Sequence, residues 1–237
     1  MKNAITLLAL LLSILSFSQE LTGLELLEKS IQYHDPNNKW KTFKGTLWVN
    51  MVTPNSPIRN SEITIDLPSD YFYLKAFKNK NTTEYSINKG ICKIEFNKKI
   101  NLSEKTKKEH NLSCKRANLY KNYYTYLYGL PMKLKDKGTI IHNKTTRKNF
   151  KGQDYIVLKV TYEKDVGKDT WYFYFNPTTY SMEVYQFFKN TKDSGEYILL
   201  SEEEIINDIK MPKNRAWYYN KNNKYLGSDI LEKSNSI

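Results

Sequence analysis

Residues 122–136 read NYYTYLYGLPMKLKD and place four tyrosines within six positions, ahead of a Gly-Leu-Pro break. The segment completes a predicted helix over residues 116–130, because Gly129 and Pro131 are typical of a helix terminus. Its apolar side chains span an arc wider than a helix lying flat on one sheet needs: Leu119, Tyr120, Tyr123, Tyr124, Tyr126, Leu127, Tyr128 and Leu130. Such an arc is typical of a helix that covers a curved surface.

Another amphipathic helix is predicted near the start of the chain. Thr22 and Glu25 form a T-x-x-E capping box, and the Asp35-Pro36 dipeptide ends the helix. Its core face is expected at the apolar positions that recur at helical spacing, Leu24, Leu27 and Ile31.

Elsewhere the chain alternates apolar and polar residues, which is typical of half-buried antiparallel strands. Ile63 and Ile65, for example, alternate with polar neighbours. Turns rich in Asn, Lys, Gly and Pro separate the predicted strands, which cover residues 45–53, 62–67, 71–77, 83–87, 91–96, 138–147, 155–162, 170–175, 180–188, 196–200, 215–220 and 224–231. The polar residues 101–113 are expected to form a loop.

The predicted fold class is α+β, mainly antiparallel β. A sheet of roughly ten or more strands tends to curl, so we expect a half-open barrel with two helices on its concave side. Within residues 170–175, Trp171, Phe173 and Phe175 point to one side and tyrosines point to the other. A strand of this kind is covered on both faces, or one face lines a cavity.

The first residues predict export. Lys2 precedes an apolar run over residues 4–17, and Ser16-Phe17-Ser18 is a small-x-small cleavage pattern. Residues 1–18 are therefore interpreted as a signal peptide, and residues 19–237 as a single exported domain, soluble after cleavage. In an oxidising compartment Cys92 and Cys114 are most simply a disulfide; two buried free thiols or a reactive thiol are the alternatives.

The formal net charge is +12, yet only four of the 37 basic residues are arginine. Lysine is a poor residue for planar recognition of phosphate or bases, and the charge is spread along the chain. Nucleic acid is therefore not an expected partner. A lysine-rich composition that aids solubility explains the charge best, and attraction to an anionic membrane surface is the functional alternative.

The sequence predicts no catalytic set, no metal site and no cofactor. It lacks H-E-x-x-H, G-x-S-x-G, the P-loop and G-x-G-x-x-G. His34 and Asp35 could support acid–base chemistry, but adjacent residues on a helix point about 100° apart. A helix-ending Asp-Pro with a partly buried, hydrogen-bonded histidine is the favoured interpretation. Asp165 and Asp169 are interpreted as part of a solvated turn rather than as a cation site.

A ligand-lining role is predicted for the tyrosine-rich helix, the segment after it and the aromatic strand. A tyrosine ring offers roughly 150–250 Å² of mostly apolar surface with a polar tip, and methionine adapts to irregular apolar guests. Core packing without a ligand explains the same residues slightly better. The candidate ligand-binding residues are Tyr123, Tyr124, Tyr126, Tyr128, Leu130, Met132, Leu134, Trp171, Phe173, Phe175 and His34.

Four stretches resemble an uncharacterised family of exported bacterial proteins: YHDPN, the Cys92/Cys114 pair followed by Arg116, YLYGLPMKL and GKDTWYFYF. The match spans almost the entire chain after the signal peptide and implies no known activity. The layout is also similar to that of periplasmic lipoprotein-localisation carriers, whose helices cover an acyl-chain cavity in an unclosed barrel. This resemblance implies a lipoprotein-carrier-like domain over residues 19–237.

The expected function is a non-enzymatic binder or carrier of an acylated or other apolar ligand, such as a lipid or lipoprotein. Its expected location is the periplasm or the outer-envelope surface. Two alternatives stay open: a cell-envelope hydrolase that uses His34 and Asp35, and a protein or glycan interaction module with an exposed aromatic patch. A cavity beneath the helix at 116–130 would favour the binder, whereas a filled interior would remove its basis.

Overall fold

The computed structural model describes residues 20–191 and 193–236, so the predicted signal peptide lies outside the described residues. In this part of the chain the strands are β1 (Lys44–Thr53), β2 (Ser56–Asp66), β3 (Tyr71–Lys78), β4 (Asn81–Asn88), β5 (Ile91–Phe96), β6 (Thr139–Phe150), β7 (Gln153–Tyr162), β8 (Thr170–Phe175), β9 (Met182–Phe188), β10 (Glu196–Ile206), β11 (Ile209–Tyr219) and β12 (Tyr225–Ser236).

These strands form one 12-stranded sheet in the order β5-β4-β3-β2-β1-β12-β11-β10-β9-β8-β7-β6. The first and last strands pair near its middle, in a register that runs from Gly45 opposite Ser236 to Val52 opposite Ser228. Two antiparallel meanders therefore extend outward from this pair, and β5 and β6 are the free edges. The predicted fold class, a curled and unclosed sheet with helices, is confirmed.

Helix α1 (Gly23–His34) begins at the predicted capping box. The Thr22 hydroxyl accepts a hydrogen bond from the Glu25 amide at 3.3 Å, and the Glu25 carboxylate accepts one from the Thr22 amide at 2.8 Å. The predicted core face is partly wrong, because Leu24 is 54% exposed. The buried stripe instead follows i, i+3, i+4 spacing through Gly23, Leu26, Leu27, Ser30 and His34.

Helix α2 (Glu104–Glu109) lies where a loop was predicted. Ser103 caps it by accepting a hydrogen bond from the Thr106 amide at 3.2 Å. The helix has no buried residue, and it pairs charges along its own surface, as between Lys107 and Glu104. Apolar periodicity therefore could not reveal it.

Helix α3 (Cys114–Gly129) contains the tyrosine-rich stretch and is followed by a 3₁₀ turn (Met132–Lys135). Its buried face is centred on Tyr124 and Tyr128, whereas Leu119 is 58% exposed. The predicted arc is thus divided: one part of it packs into the core, and the flank that carries Leu119 and Tyr123 stays accessible.

The helices and the sheet enclose two large clusters of buried side chains. One joins Tyr124 and Tyr128 of α3 to strands β1–β5 and β10–β12. The other joins α1 and the end of α3 to β7–β10, with Leu27 and Leu127 among its members. Ile31 of α1 packs against both clusters. A smaller cluster around Tyr174 contains the alternate side chains of β8, as the alternation of that strand predicts.

The hairpin of β10 and β11 is longer than predicted. The prediction ended the first of these strands at Leu200 and began the second at Arg215, but pairing continues to Ile206 opposite Ile209. Three consecutive glutamates at 202–204 interrupt the apolar alternation, so the pattern did not predict the extension. Glu202 and Glu203 are exposed and Glu204 is half-buried, whereas Ile206 and Ile209 are buried.

A disulfide joins Cys92 on β5 to Cys114, the first residue of α3, and confirms the predicted pair. The Cα atoms are 5.9 Å apart and 22 positions apart in sequence. The bridge fixes the start of the tyrosine-rich helix to an edge strand of the sheet.

Candidate functional site

An open cavity of about 690 Å³ lies between one flank of α3 and the concave face of strands β7 to β11. This volume is within the range of small-molecule and cofactor sites, roughly 300–1,000 Å³. Its wall is mainly apolar, and the large side chains that line it are Leu119, Tyr123, Tyr126, Leu127, Tyr162, Val166, Trp171, Tyr185, Phe187, Ile198 and Trp217. We call this cavity the aromatic groove.

The floor of the aromatic groove is a row of cross-strand neighbours. Trp171 of β8 is opposite Phe187 of β9, and their rings stack with centroids 4.7 Å apart. One step further along the sheet, Ile198 of β10 is opposite Trp217 of β11. Because alternate residues of a strand share a face, antiparallel register brings these apolar side chains to one surface.

Helix α3 contacts this floor through two tyrosines. The Tyr126 ring packs edge-on against Trp171 at 6.2 Å, and its hydroxyl hydrogen-bonds the hydroxyl of Tyr162. The Tyr123 ring stacks on Trp217 with centroids 6.5 Å apart. Burial raises the pKa of Tyr162 to about 12 and that of Tyr126 above its usual range. Both hydroxyls therefore stay neutral at physiological pH.

A smaller cavity of about 230 Å³ continues the aromatic groove past Tyr123 and Trp217. Glu196 borders both cavities, and Asp229 borders the smaller one. Burial raises the pKa of Glu196, and the charge of Lys189 opposes that rise. Glu196 therefore lies where the two cavities meet. The other charged residues that line the aromatic groove are Lys121, Lys133, Asp136, Lys137 and Asp169.

A buried polar layer lies beneath α3. The Arg215 guanidinium is 0% exposed and donates to the backbone oxygens of Pro212 at 3.0 Å and Leu127 at 3.2 Å. Its Cζ atom lies 4.0 Å from the centre of the Tyr128 ring. Asp229, opposite Arg215 in the β11–β12 register, accepts a hydrogen bond from the Tyr123 hydroxyl at 3.2 Å.

The predicted ligand-binding residues separate into two groups. Tyr123, Tyr126 and Trp171 line the aromatic groove. The others lie in the buried clusters or, for His34, at the inner end of α1: Tyr124, Tyr128, Leu130, Met132, Leu134, Phe173, Phe175 and His34. The structure therefore brings three of the predicted residues together around the open space and places eight in the packed interior.

His34 and Asp35 make structural contacts. His34 is fully buried, with Nδ1 2.7 Å from the Lys210 carbonyl oxygen and Nε2 accepting from the Met182 amide at 3.0 Å. These partners fix a neutral ring with its proton on Nδ1. The Asp35 carboxylate accepts from the amides of Lys39 at 2.6 Å and Trp40 at 2.9 Å. Both groups are engaged by backbone, which gives the hydrolase alternative no support.

Stability should fall in mildly acidic solution because of His34. Burial lowers its folded pKa to about 4, below the ordinary value of 6.5, so the unfolded chain binds the proton first as the pH drops. We expect the free energy of unfolding to decrease between pH 6.5 and pH 4, by about 2 kcal/mol at pH 5. Urea titrations at a series of pH values measure this loss.

The matched control for that titration is a second histidine. His34→Gln cannot titrate and should lose this component of the pH slope, whereas His110→Gln, at an exposed position, should keep it. Equal slopes for the wild-type protein and His34→Gln would show that this ring is not the titrating group.

Several lining residues were not predicted from the sequence. Tyr162, Phe187, Ile198 and Trp217 come from four different strands, β7, β9, β10 and β11. Their apolar alternation marked them as inward-facing, which is a signal for burial. It could not show that the space above them is open, because this depends on where α3 crosses the sheet.

Among the described residues, no helix has the length and apolarity needed to span a bilayer. Within the same residues, no cluster of three or more His, Cys, Asp or Glu side chains could hold a metal ion.

Solved structures from three bacteria share this fold. A LolA superfamily protein from Nitrosomonas europaea is 9% identical with a TM-score of 0.50, covering 92% of this chain and 94% of its own. A putative outer membrane lipoprotein-sorting protein domain from Vibrio parahaemolyticus is 10% identical with a TM-score of 0.50, covering 90% and 93%. A DUF1329 family protein from Desulfovibrio piger is 10% identical with a TM-score of 0.51, covering 90% and 91%.

At such low identity these likenesses establish the fold alone, and they confirm the architectural resemblance to lipoprotein-localisation carriers. No curated protein matches the sequence. A family model matches residues 2–233, which include every stretch that resembled a family of exported proteins. The chain belongs to the family of unknown function DUF6503.

Proposed function

We propose that this protein binds and carries an acylated or other apolar ligand, such as a lipid or a lipoprotein, in the cell envelope. The observation that carries the proposal is the aromatic groove, an open space of about 690 Å³ with a mainly apolar wall. Two structural neighbours, a LolA superfamily protein and a putative outer membrane lipoprotein-sorting protein domain, are consistent with this class of ligand.

The size of the groove sets the expected affinity. Burying an acyl chain gains about 0.8 kcal/mol per CH₂, so a chain of ~14 carbons would gain roughly 10 kcal/mol before association costs. An open groove captures only part of this energy, because one side of the chain stays in water. A reversible carrier needs such an incomplete gain, since the ligand must also be released.

The proposed location is the periplasm or the outer-envelope surface. It depends on interpreting residues 1–18 as a signal peptide, and the Cys92–Cys114 disulfide supports an oxidising compartment. The net charge of +12 would also favour approach to anionic membranes.

The test introduces a charge into the groove without disturbing the core. Leu119 is 58% exposed on α3 and lines the groove, and Leu24 is 54% exposed on α1 away from it. We expect Leu119→Asp to weaken binding of a fluorescent fatty acid about tenfold or more, because a carboxylate would be desolvated against the ligand. Leu24→Asp, an equal change on the other helix, should bind like the wild-type protein.

Fluorescence titration gives the affinities, and thermal melting of each variant checks the fold. A folded Leu119→Asp protein with wild-type affinity would exclude the groove as the ligand site. Wild-type protein that binds no fatty acid, but does bind a peptide or glycan array, would favour the interaction-module alternative.

A further inference from the structure

A separate cavity, of about 240 Å³, borders the N-terminal half of α3 through Arg116 and Tyr120. Strands β2 to β5, the segment before α3 and α3 itself enclose it. We call it the basic pocket, and the side chains that define it are Arg59, Lys78, Tyr85, His110, Arg116 and Tyr120. None of these six residues lines the aromatic groove.

The arginines are the unusual feature of the basic pocket. The whole sequence has only four arginines among 37 basic residues, and two of them, Arg59 and Arg116, line this one cavity. Lysine supplies most of the positive charge elsewhere on the protein. Guanidinium groups differ from lysine in offering a planar fork of donors that fits an oxyanion.

The two guanidinium groups converge on a single tyrosine. Arg116 donates to the Tyr120 hydroxyl at 3.0 Å, and Arg59 approaches the same oxygen at 3.4 Å. Both also lie over the Tyr120 ring, at 5.0 Å and 5.4 Å from its centre. Arg59 is anchored from behind by the Tyr124 hydroxyl at 2.5 Å. Arg59 Nε also donates to the Ser61 hydroxyl at 3.3 Å. Because each terminal nitrogen of a guanidinium carries two N–H groups, Arg59 keeps one further donor on each of them, and Arg116 keeps those that Tyr120 does not use.

No carboxylate neutralises this pair directly. Within residues 20–191 and 193–236, none of the ion pairs includes Arg59, Arg116 or Lys78. Asp229 acts on Arg59 only through its charge at longer range. Two neighbouring cations that share a neutral acceptor repel each other, and a bound anion would relieve that repulsion.

Further groups around the basic pocket favour an anion. The Lys78 amine, which donates to the Ser56 hydroxyl at 2.9 Å, lies on its wall. Burial raises the pKa of Tyr85 to about 12, so its hydroxyl stays a neutral donor. Arg116 sits in the first turn of α3, where the helix dipole is positive. The disulfide at Cys114 holds this turn to β5.

We propose that the basic pocket binds a phosphate-type oxyanion, held by the guanidinium groups of Arg59 and Arg116 with Lys78 as a further cation. Two sources share this chemistry, free inorganic phosphate and the headgroup phosphate of a phospholipid. The site stands apart from the aromatic groove, so it can be present whether or not the groove binds an apolar ligand.

Calorimetric titration of the purified protein with sodium phosphate at constant ionic strength tests the site. The wild-type protein should show saturable binding that weakens as sodium chloride is added. Arg116→Gln should weaken phosphate binding about tenfold or more, and Arg116→Lys should restore only part of it. Arg147→Gln removes an equal charge from an exposed position on β6 and should leave binding unchanged. If Arg116→Gln fails to fold, Lys78→Gln takes its place.

Sedimentation with phosphatidylglycerol vesicles separates the two sources. A headgroup site requires that Arg116→Gln lose vesicle binding while Arg147→Gln keeps it. A free-phosphate site requires that both variants sediment like the wild-type protein while Arg116→Gln loses phosphate binding. The proposal is overturned if Arg116→Gln changes neither measurement, or if Arg147→Gln lowers both as strongly. Fatty-acid binding by the same variants reports on the groove separately.

Discussion

Replacing Arg215 with methionine should lower the free energy of unfolding by about 3–5 kcal/mol, the range for removing one member of a buried charged network. The reason begins in the sequence. The carbonyl of Leu127 would normally accept from the amide four residues later, but that residue is Pro131, which has no N–H. Arg215 supplies the missing donor at 3.2 Å. The variant leaves this oxygen buried without a partner.

The charge of Arg215 also matters to Asp229, which is 2% exposed. Burial raises the pKa of Asp229, and the positive charges of Arg59 and Arg215 oppose that rise. Without Arg215 the carboxyl pKa should rise further, so the folded variant would hold a proton more readily than the unfolded chain. The deficit of Arg215→Met should therefore shrink as the pH falls.

Urea denaturation of the single and double variants measures this coupling. Asp229→Asn in the Arg215→Met background should cost less than Asp229→Asn alone, with an interaction energy of roughly 1–3 kcal/mol. Strict additivity of the two changes would mean that the groups do not interact. If Arg215→Met lowers the free energy of unfolding by less than about 1 kcal/mol, Arg215 contributes no more to stability than an ordinary surface residue.

Local patterns predicted most of the secondary structure. Alternation identified the strands. β5 and β8 have the predicted bounds, because one face of β5 is largely exposed and the two faces of β8 pack into different buried clusters. The Thr22 capping box gave the start of α1. The failures are segments with no apolar period, such as α2, where a helix is held by Ser103 and surface charges instead of burial.

The candidate site was only partly predictable for a geometric reason. A sequence shows that Tyr123, Tyr124, Tyr126 and Tyr128 lie on adjoining faces of one helix, but not how the helix is rotated above the sheet. That rotation puts Tyr124 at 0% exposure in the core and Tyr123 beside the open space. The burial of Arg215 was equally unpredictable, since a polar residue in an alternating strand is expected to face water.

Helix α3 thus separates two different environments. Leu119 and Tyr126 face the aromatic groove, and Arg116 and Tyr120, on an adjoining part of the helix surface, face the basic pocket. The position of this one helix decides the shape of both cavities. It is fixed at its C-terminal end by Arg215 and at its N-terminal end by the disulfide.

Loss of the Cys92–Cys114 disulfide should therefore loosen the N-terminal end of α3 and lower the free energy of unfolding by about 2–5 kcal/mol. The bridge spans 22 positions, so the reduced unfolded chain regains the freedom of a loop of that length. Cys114 is exposed, and dithiothreitol can reach it. Urea denaturation with and without dithiothreitol measures the effect.

The Cys92→Ser/Cys114→Ser double variant provides the matched control, because it should be destabilised to the same extent and should no longer respond to dithiothreitol. In this variant, phosphate binding in the basic pocket should weaken more than fatty-acid binding in the aromatic groove. The bridge holds the turn of α3 that carries Arg116. Tyr126 lies about three turns further on and stays attached to the sheet through its hydrogen bond to Tyr162. An equal loss in both cavities would instead mean that α3 moves as one rigid unit. Full stability after reduction would show that packing around Ala117 and Tyr124 alone fixes the helix.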